Sequence, residues 1–119
     1  MNTHQKGALG EDTAVEYLLN AGYSIETRNF RTKVGEIDIV ARSPEGLLVF
    51  VEVKSATGYS CGNPLYWITS AKQKSLLRVA SRYIYERKLG FPPCRMDVIS
   101  VVKGKVDHIK NAFLANKSF

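Results

Sequence analysis

The run Gly35-Glu36-Ile37-Asp38-Ile39-Val40, followed across a Pro44-Glu45-Gly46 turn by Val49-Phe50-Val51-Glu52-Val53-Lys54, decides how this chain folds. Both halves are rich in β-branched residues and bounded by turn formers, so they read as the two strands of a hairpin. Side chains alternate along a strand, which puts Glu52 and Lys54 on one face and Val49, Val51 and Val53 on the other. On the earlier strand the same rule groups Glu36 with Asp38 and sets Ile37 and Ile39 opposite them. With the turn at Pro44 to Gly46, Phe50 falls opposite Val40, Glu52 opposite Asp38 and Glu36 opposite Lys54. Opposed residues have Cβ atoms about 5 Å apart. A slip of one residue would bury the charges and expose the valines, so the hydrophobic pattern holds the register.

Two carboxylates facing each other across a hairpin repel, and a cation is needed to offset them. A hard divalent ion, Mg²⁺ or Mn²⁺, takes oxygen ligands and is commonly held by one or two carboxylates plus water and substrate phosphate. Such an ion polarises a phosphoryl oxygen and lowers the pKa of water. Lys54, on the face of Glu52, is placed to orient an attacking water or to stabilise charge on the phosphate. No His or Cys cluster offers zinc a competing site. The alternative is that Lys54 merely pairs with Glu36 or Glu52 on a solvated face. The charges end a strand that is otherwise apolar from Leu47 to Val51, which favours a site.

Outward from the hairpin, Gly10 to Ala21 reads as a helix with Ala14, Val15, Leu18 and Leu19 on one stripe and Gly22 as its stop. Tyr23 to Arg31, Glu36 to Arg42 and Leu47 to Lys54 read as three strands. Ser55 to Ile68 reads as a long loop carrying Tyr59, Tyr66 and Trp67. Thr69 or Ser70 caps a second helix that runs to Leu89, where Gly90, Pro92 and Pro93 stop it. Cys94 to Val102 and Lys105 to Ile109 are strands joined by a Lys103-Gly104 turn. The tail from Lys110 is expected to form a helical turn and to fray from about Leu114. The order α-β-β-β-α-β-β predicts an α/β protein, a mixed central sheet flanked by helices, in a single domain over residues 1–119.

The composition, 45% hydrophobic, supports a core without staples. Seventeen Lys and Arg against 11 acidic residues give a net charge of +6, a balance suited to a polyanion such as DNA or RNA. Cys61 and Cys94 fit no metal-binding spacing and read as reduced thiols. The polar start and the lack of any apolar run near 20 residues predict a cytoplasmic protein with no membrane partner. Lys74, Arg78 and Arg82 recur at helical spacing on one face, with Lys72 beside them, and form a candidate phosphate track. The alternative is an ordinary solvated face opposite Leu77, Ala80 and Ile84. Tyr59, Tyr66 and Trp67 are candidates for stacking on bases, although Trp67 is explained at least as well by core packing. His4 and His108 read as isolated surface residues, and Asp97 as a structural partner of Arg95.

The layout of a helical Glu, then Asp, then Glu-x-Lys across a hairpin resembles the restriction-endonuclease-like, or PD-(D/E)xK, nuclease superfamily. More closely, the chain resembles the YraN-like family of uncharacterised bacterial proteins. The matching segments are the two hairpin runs, Lys72-Gln73, Cys94-Arg95-Met96-Asp97-Val98-Ile99, and His108-Ile109-Lys110-Asn111-Ala112-Phe113. Archaeal Holliday-junction resolvases are similar in layout. The resemblance implies a restriction-endonuclease-like fold with Asp38 and Glu52 as metal ligands and Lys54 as the catalytic lysine. Glu11 matches the acidic residue of the first helix that can join the metal shell; an exposed carboxylate favoured by the helix dipole is the alternative. Glu36, by its shared face, is a further candidate for the cluster. Gln73 corresponds loosely to a Gln or Lys near the active site. Gly-Glu-Ile-Asp replaces the usual Pro-Asp, keeping the carboxylate and losing the proline.

The sequence thus points to an endonuclease dependent on Mg²⁺ or Mn²⁺ that hydrolyses phosphodiesters, in DNA rather than RNA, on branched or damaged substrates of repair or recombination. Two alternatives stand beside it: a nucleic-acid-binding module that keeps the fold without turnover, and a structural protein with a vestigial carboxylate cluster. The oligomeric state is left open, a homodimer being one of the alternatives.

Overall fold

The computed structural model describes residues 3–56 and 68–113. Its elements are α1 (Thr3–Asn20), β1 (Ser24–Thr32), β2 (Gly35–Arg42), β3 (Leu48–Ala56), α2 (Ser70–Glu86), β4 (Cys94–Val102) and β5 (Lys105–Ile109). The order is the expected one. Tyr59, Cys61, Tyr66 and Trp67 and the tail from Leu114 lie outside the described residues.

Helix α1 starts well before Gly10. Those first residues carry no apolar stripe, so periodicity gives no sign of them. The helix ends as expected: Gly22 adopts φ +91°, and the N–H groups of Tyr23 and Gly22 donate back to the carbonyls of Leu18 and Leu19, the glycine-terminated stop that satisfies the last carbonyls. Ala14 and Leu18 are fully buried, whereas Leu19, expected on the same stripe, is 53% exposed.

The strands form one mixed sheet in the order β1-β2-β3-β4-β5. β3 and β4 are parallel, and the other neighbours are antiparallel. A parallel pair needs a long crossover, and α2 supplies it. Leu48, Val49, Phe50 and Val51 are all buried, because helices cover both faces of β3. Leu48 and Phe50 join Leu76, Val79, Ala80 and Tyr83 under α2. Val49 and Val51 join Ala14 and Leu18 under α1.

Helix α2 is capped by Thr69, whose side chain accepts from the Lys72 N–H. It ends at Arg87, short of the expected Leu89. The reason is that Lys88 already takes a left-handed turn, at φ 55°, two residues before Gly90, which is itself left-handed at φ 70°, and the Leu89 N–H closes onto the Ile84 carbonyl. The face expected to be apolar is so: Leu77, Ala80 and Ile84 are buried.

The hairpin register is the expected one, with Val40 opposite Phe50 and Ile39 opposite Val51. Backbone pairing of β2 with β3 stops there. The alternation does not survive past that point. Ile37 packs under α2 while Ile39 packs under α1, although residues two apart in an uninterrupted strand share a face. The reversal coincides with Asn29 on β1, which sits across from Asp38 between the pairs Arg28–Ile39 and Phe30–Ile37 and has φ 54°. Glu36 and Asp38 therefore do not share a regular strand face, which corrects the simple alternation.

Candidate functional site

Asp38 and Glu52 meet where β2 and β3 part. With the ladder ended, the Val53 N–H donates to Asp38 Oδ2 at 2.7 Å, so a side chain takes the place of the missing backbone acceptor. The two carboxyl groups lie close enough for Glu52 to act on the ionisation of Asp38, on the line the register predicted. Glu52 is only 5% exposed. Burial, the contact with Glu52 and its charge push the Asp38 carboxyl up to about 9 against the pull of the Val53 N–H. At neutral pH the pair therefore holds a proton where two negative charges would otherwise be enclosed.

Glu52 Oε2 is buried and, among the described residues, has no hydrogen-bond partner. The Lys72 ammonium, reaching over from the first turn of α2, lies 3.1 Å from this oxygen. That is an ion-pair distance without the direction of a hydrogen bond. Lys54, on the α2-facing parity of Glu52, is half-buried. Among the described residues it has no carboxylate partner, so the pairing with Glu36 or Glu52 that would make it an ordinary surface lysine does not form.

The other acidic candidates are engaged elsewhere. Glu11 is buried and accepts from Arg28 Nε at 3.0 Å and Asn29 Nδ2 at 3.1 Å. It is close enough for its charge to raise Asp38 further. Glu36 pairs with Arg31, pointing along β1 rather than into the cluster. Among the described residues no group of three or more His, Cys, Asp or Glu gathers to enclose an ion. The site is a two-carboxylate site, with Glu11 behind it. The Gln73 amide donates to the Ile68 carbonyl, closing the chain onto the start of α2.

The basic stripe is where the sequence put it. Lys74, Arg78 and Arg82 are exposed, and Arg82 is paired with Glu86 at 2.9 Å. Alternation and periodicity could not reveal that the end of β1 and the β1–β2 turn add Arg31 and Lys33 to the same cleft. They line a cavity of about 540 Å³ with Arg78 and Arg82. The turn is fixed there by Ser75 Oγ, which donates to the Val34 carbonyl. Gly35 permits the approach, since a Cβ on it would stand 2.7 Å from Ser75 Oγ.

A second polar cluster is structural. Asp97, 1% exposed, receives Arg95 at 2.8 Å, His108 Nε2 at 2.6 Å and the Asn111 N–H at 3.0 Å. Burial alone would raise its carboxyl; the bonds from His108, Arg95 and Asn111 outweigh burial and hold it below the usual range. Tyr17 on α1 closes the chain onto His108 Nδ1, and Tyr23 accepts from Arg95. His108 is thus a buried clamp between α1, β4 and β5, not the isolated surface residue expected. The pairing of Asp97 with Arg95 is as expected.

A cavity of about 810 Å³ is lined by Leu47, Ile84, Tyr85, Phe91 and Cys94 among others, with no carboxylate among its lining residues. It opens beside the first residues of β3 and β4. No described helix is long and apolar enough to cross a membrane.

Comparison with known proteins agrees on one kinship. The model of the uncharacterised protein family UPF0102 matches residues 10–101. A UPF0102 protein of Clostridioides difficile is 44% identical over 95% of this chain and 100% of its own length. Another, from Persephonella marina, is 46% identical over 91% of this chain and 92% of its own, and one from Cupriavidus necator is 41% identical over 94% and 85%. These spans take in Asp38, Glu52, Lys54 and Lys72 together, and the chain belongs to the family UPF0102, the YraN-like proteins.

Proposed function

We propose that this protein is a divalent-metal-dependent phosphodiesterase acting on nucleic acid, DNA in preference to RNA, with Asp38 and Glu52 as its metal ligands. The observation that carries this reading is Glu52 Oε2, a buried carboxylate oxygen close to the Asp38 carboxyl group that meets the Lys72 ammonium at an ion-pair distance yet, among the described residues, receives no hydrogen bond. A buried acceptor left unsatisfied costs roughly 1–3 kcal/mol. A divalent cation accounts for that cost, and for the proximity of two acids, in a way a purely structural role does not. The donor set fits Mg²⁺ or Mn²⁺: two carboxylates, oxygen only, with remaining positions left to water and phosphate. When bound, the ion supplies Lewis-acid polarisation of a phosphoryl oxygen and a water of lowered pKa. The chain's own groups do the rest. The Val53 N–H holds Asp38 in place. Lys54 is free to orient a water or to neutralise the phosphate. Arg31, Lys33, Arg78 and Arg82 draw the polyanion to this side of the molecule.

The cleft also supports the second reading, a module that binds nucleic acid without turnover, because it needs no metal. The two separate in one experiment. Mn²⁺ binding is followed by calorimetry, and cleavage of linear and branched DNA is followed with Mg²⁺ or Mn²⁺. Asp38→Asn and Glu52→Gln are expected to abolish metal binding and metal-dependent cleavage while leaving salt-sensitive DNA binding in place. Full metal-dependent cleavage by Glu52→Gln would rule the assignment out. DNA binding with no cleavage in the native protein would leave the binding module.

A further inference from the structure

We propose that Lys72 is a tethered stand-in for the metal: its ammonium neutralises Glu52 in the metal-free protein, gives way when the ion enters, and is thereby released to meet the substrate phosphate. This rests on the metal-site reading above and assigns that site its own internal competitor.

Three observations carry it. Lys72 Nζ is 3.1 Å from the same Glu52 oxygen that has no hydrogen bond. The ammonium is thus held by charge at the oxygen an ion would claim, and it leaves that oxygen's hydrogen-bonding direction unused. The two ends of Lys72 are also restrained differently. Its backbone N–H is fixed by the Thr69 cap at 3.1 Å, while its side chain is 40% exposed, so the head can swing about a fixed base. Finally, the lysine is misplaced for the helix. It lies in the first turn of α2, which contains no acidic residue, at the positive end of the dipole, where a cation costs about 0.3–1 kcal/mol. The contact with Glu52 offsets that cost. When an ion takes over Glu52, the ammonium is left at a positive helix end beside another cation, and both repulsions drive it outward toward an anionic ligand.

A tethered cation that competes with the ion weakens metal affinity, which sets this role apart from a structural one: removing a structural ion pair loosens a site, whereas removing a competitor tightens it. The test is Mn²⁺ titration of the full chain by calorimetry at mildly alkaline pH, comparing the native protein with Lys72→Met, Lys72→Gln and Lys72→Arg, and with Asp38→Asn as the site marker. A charge-assisted contact of ordinary strength corresponds to a tightening of about tenfold or more in Lys72→Met and Lys72→Gln. Lys72→Arg, which keeps the charge, is expected to stay near the native value. Unchanged or weaker binding in both neutral variants, with Asp38→Asn still abolishing it, overturns the competitor and leaves the metal site standing. No Mn²⁺ binding by the native protein or by either neutral variant overturns both.

Discussion

Asp38 occupies a position that an aspartate tolerates only under constraint. Its carboxyl is pressed against that of Glu52 at the edge of a closed core, accepts from the Val53 N–H, and stands at about 9 against an unfolded value near 4. Between those two pH values the folded state holds a proton that the unfolded state has released. Unfolding therefore becomes easier as pH rises through that window, the reverse of an ordinary paired carboxylate. The thermal midpoint of the metal-free protein, measured in a chelator, is expected to fall from about pH 5 to about pH 9. Asp38→Asn keeps the shape and cannot ionise, so it should flatten this slope and be the more stable form at the alkaline end, by something on the order of 1–2 kcal/mol. Identical slopes for the two proteins would show that Asp38 does not hold the proton. Asp97 follows the opposite sign. Its carboxyl is lowered, so it stabilises the fold above the usual carboxylate range and that contribution disappears on acidification.

At the level of elements, what was legible in the sequence followed the regular periods, and what was not came from breaks in them. β4 and β5 were readable to the residue, because apolar runs and a Lys-Gly turn bound them. The hairpin register was readable because Val40 and Phe50 had to meet in the core. The reversal at Asp38 was not, since it depends on a left-handed Asn29 one strand away; Asn is among the few residues that tolerate that conformation, but the type alone does not locate the kink. The Lys72–Glu52 contact and the buried His108 arise from tertiary packing between elements distant in sequence, where no period reaches. The end of α2 shows the same limit. Gly90 is left-handed, but so already is Lys88 two residues earlier, and Leu89 between them packs against the core under α2. A side chain in that conformation costs about 1–2 kcal/mol, so Lys88→Gly is expected to raise the unfolding free energy by roughly 1 kcal/mol in urea titration. An unchanged or lowered midpoint would mean that the lysine side chain compensates for its backbone.

Across the whole molecule, charge is arranged in two zones that share α2. The helix carries Lys72 at its start over the buried acids, and Arg78 and Arg82 further along facing Arg31 and Lys33 of the β1–β2 turn. Ser75 ties that turn to the helix, so α2 borders both the cleft and, through Lys72, the carboxylate pair carried by β2 and β3. On the proposed reading, a strand of nucleic acid held in the cleft would lie on the same side of the molecule as Lys72, Asp38 and Glu52. If the cleft binds nucleic acid as proposed, its energy would come from displaced counterions and show as salt dependence: every phosphate that the protein no longer neutralises lowers the slope of log affinity against log salt by about 0.9 on duplex DNA. The triple variant Lys33→Ala, Arg78→Ala, Arg82→Ala is expected to lower that slope by about 2–3 while leaving Mn²⁺ titration of the carboxylate pair unchanged, since none of the three touches Asp38 or Glu52. Arg82 is partly spent on Glu86, which places the decrease toward the lower end. Weaker binding with an unchanged slope would mean that these residues meet bases or protein rather than phosphate, and a change in the metal titration as well would mean that cleft and carboxylates are one site rather than two zones on a common helix.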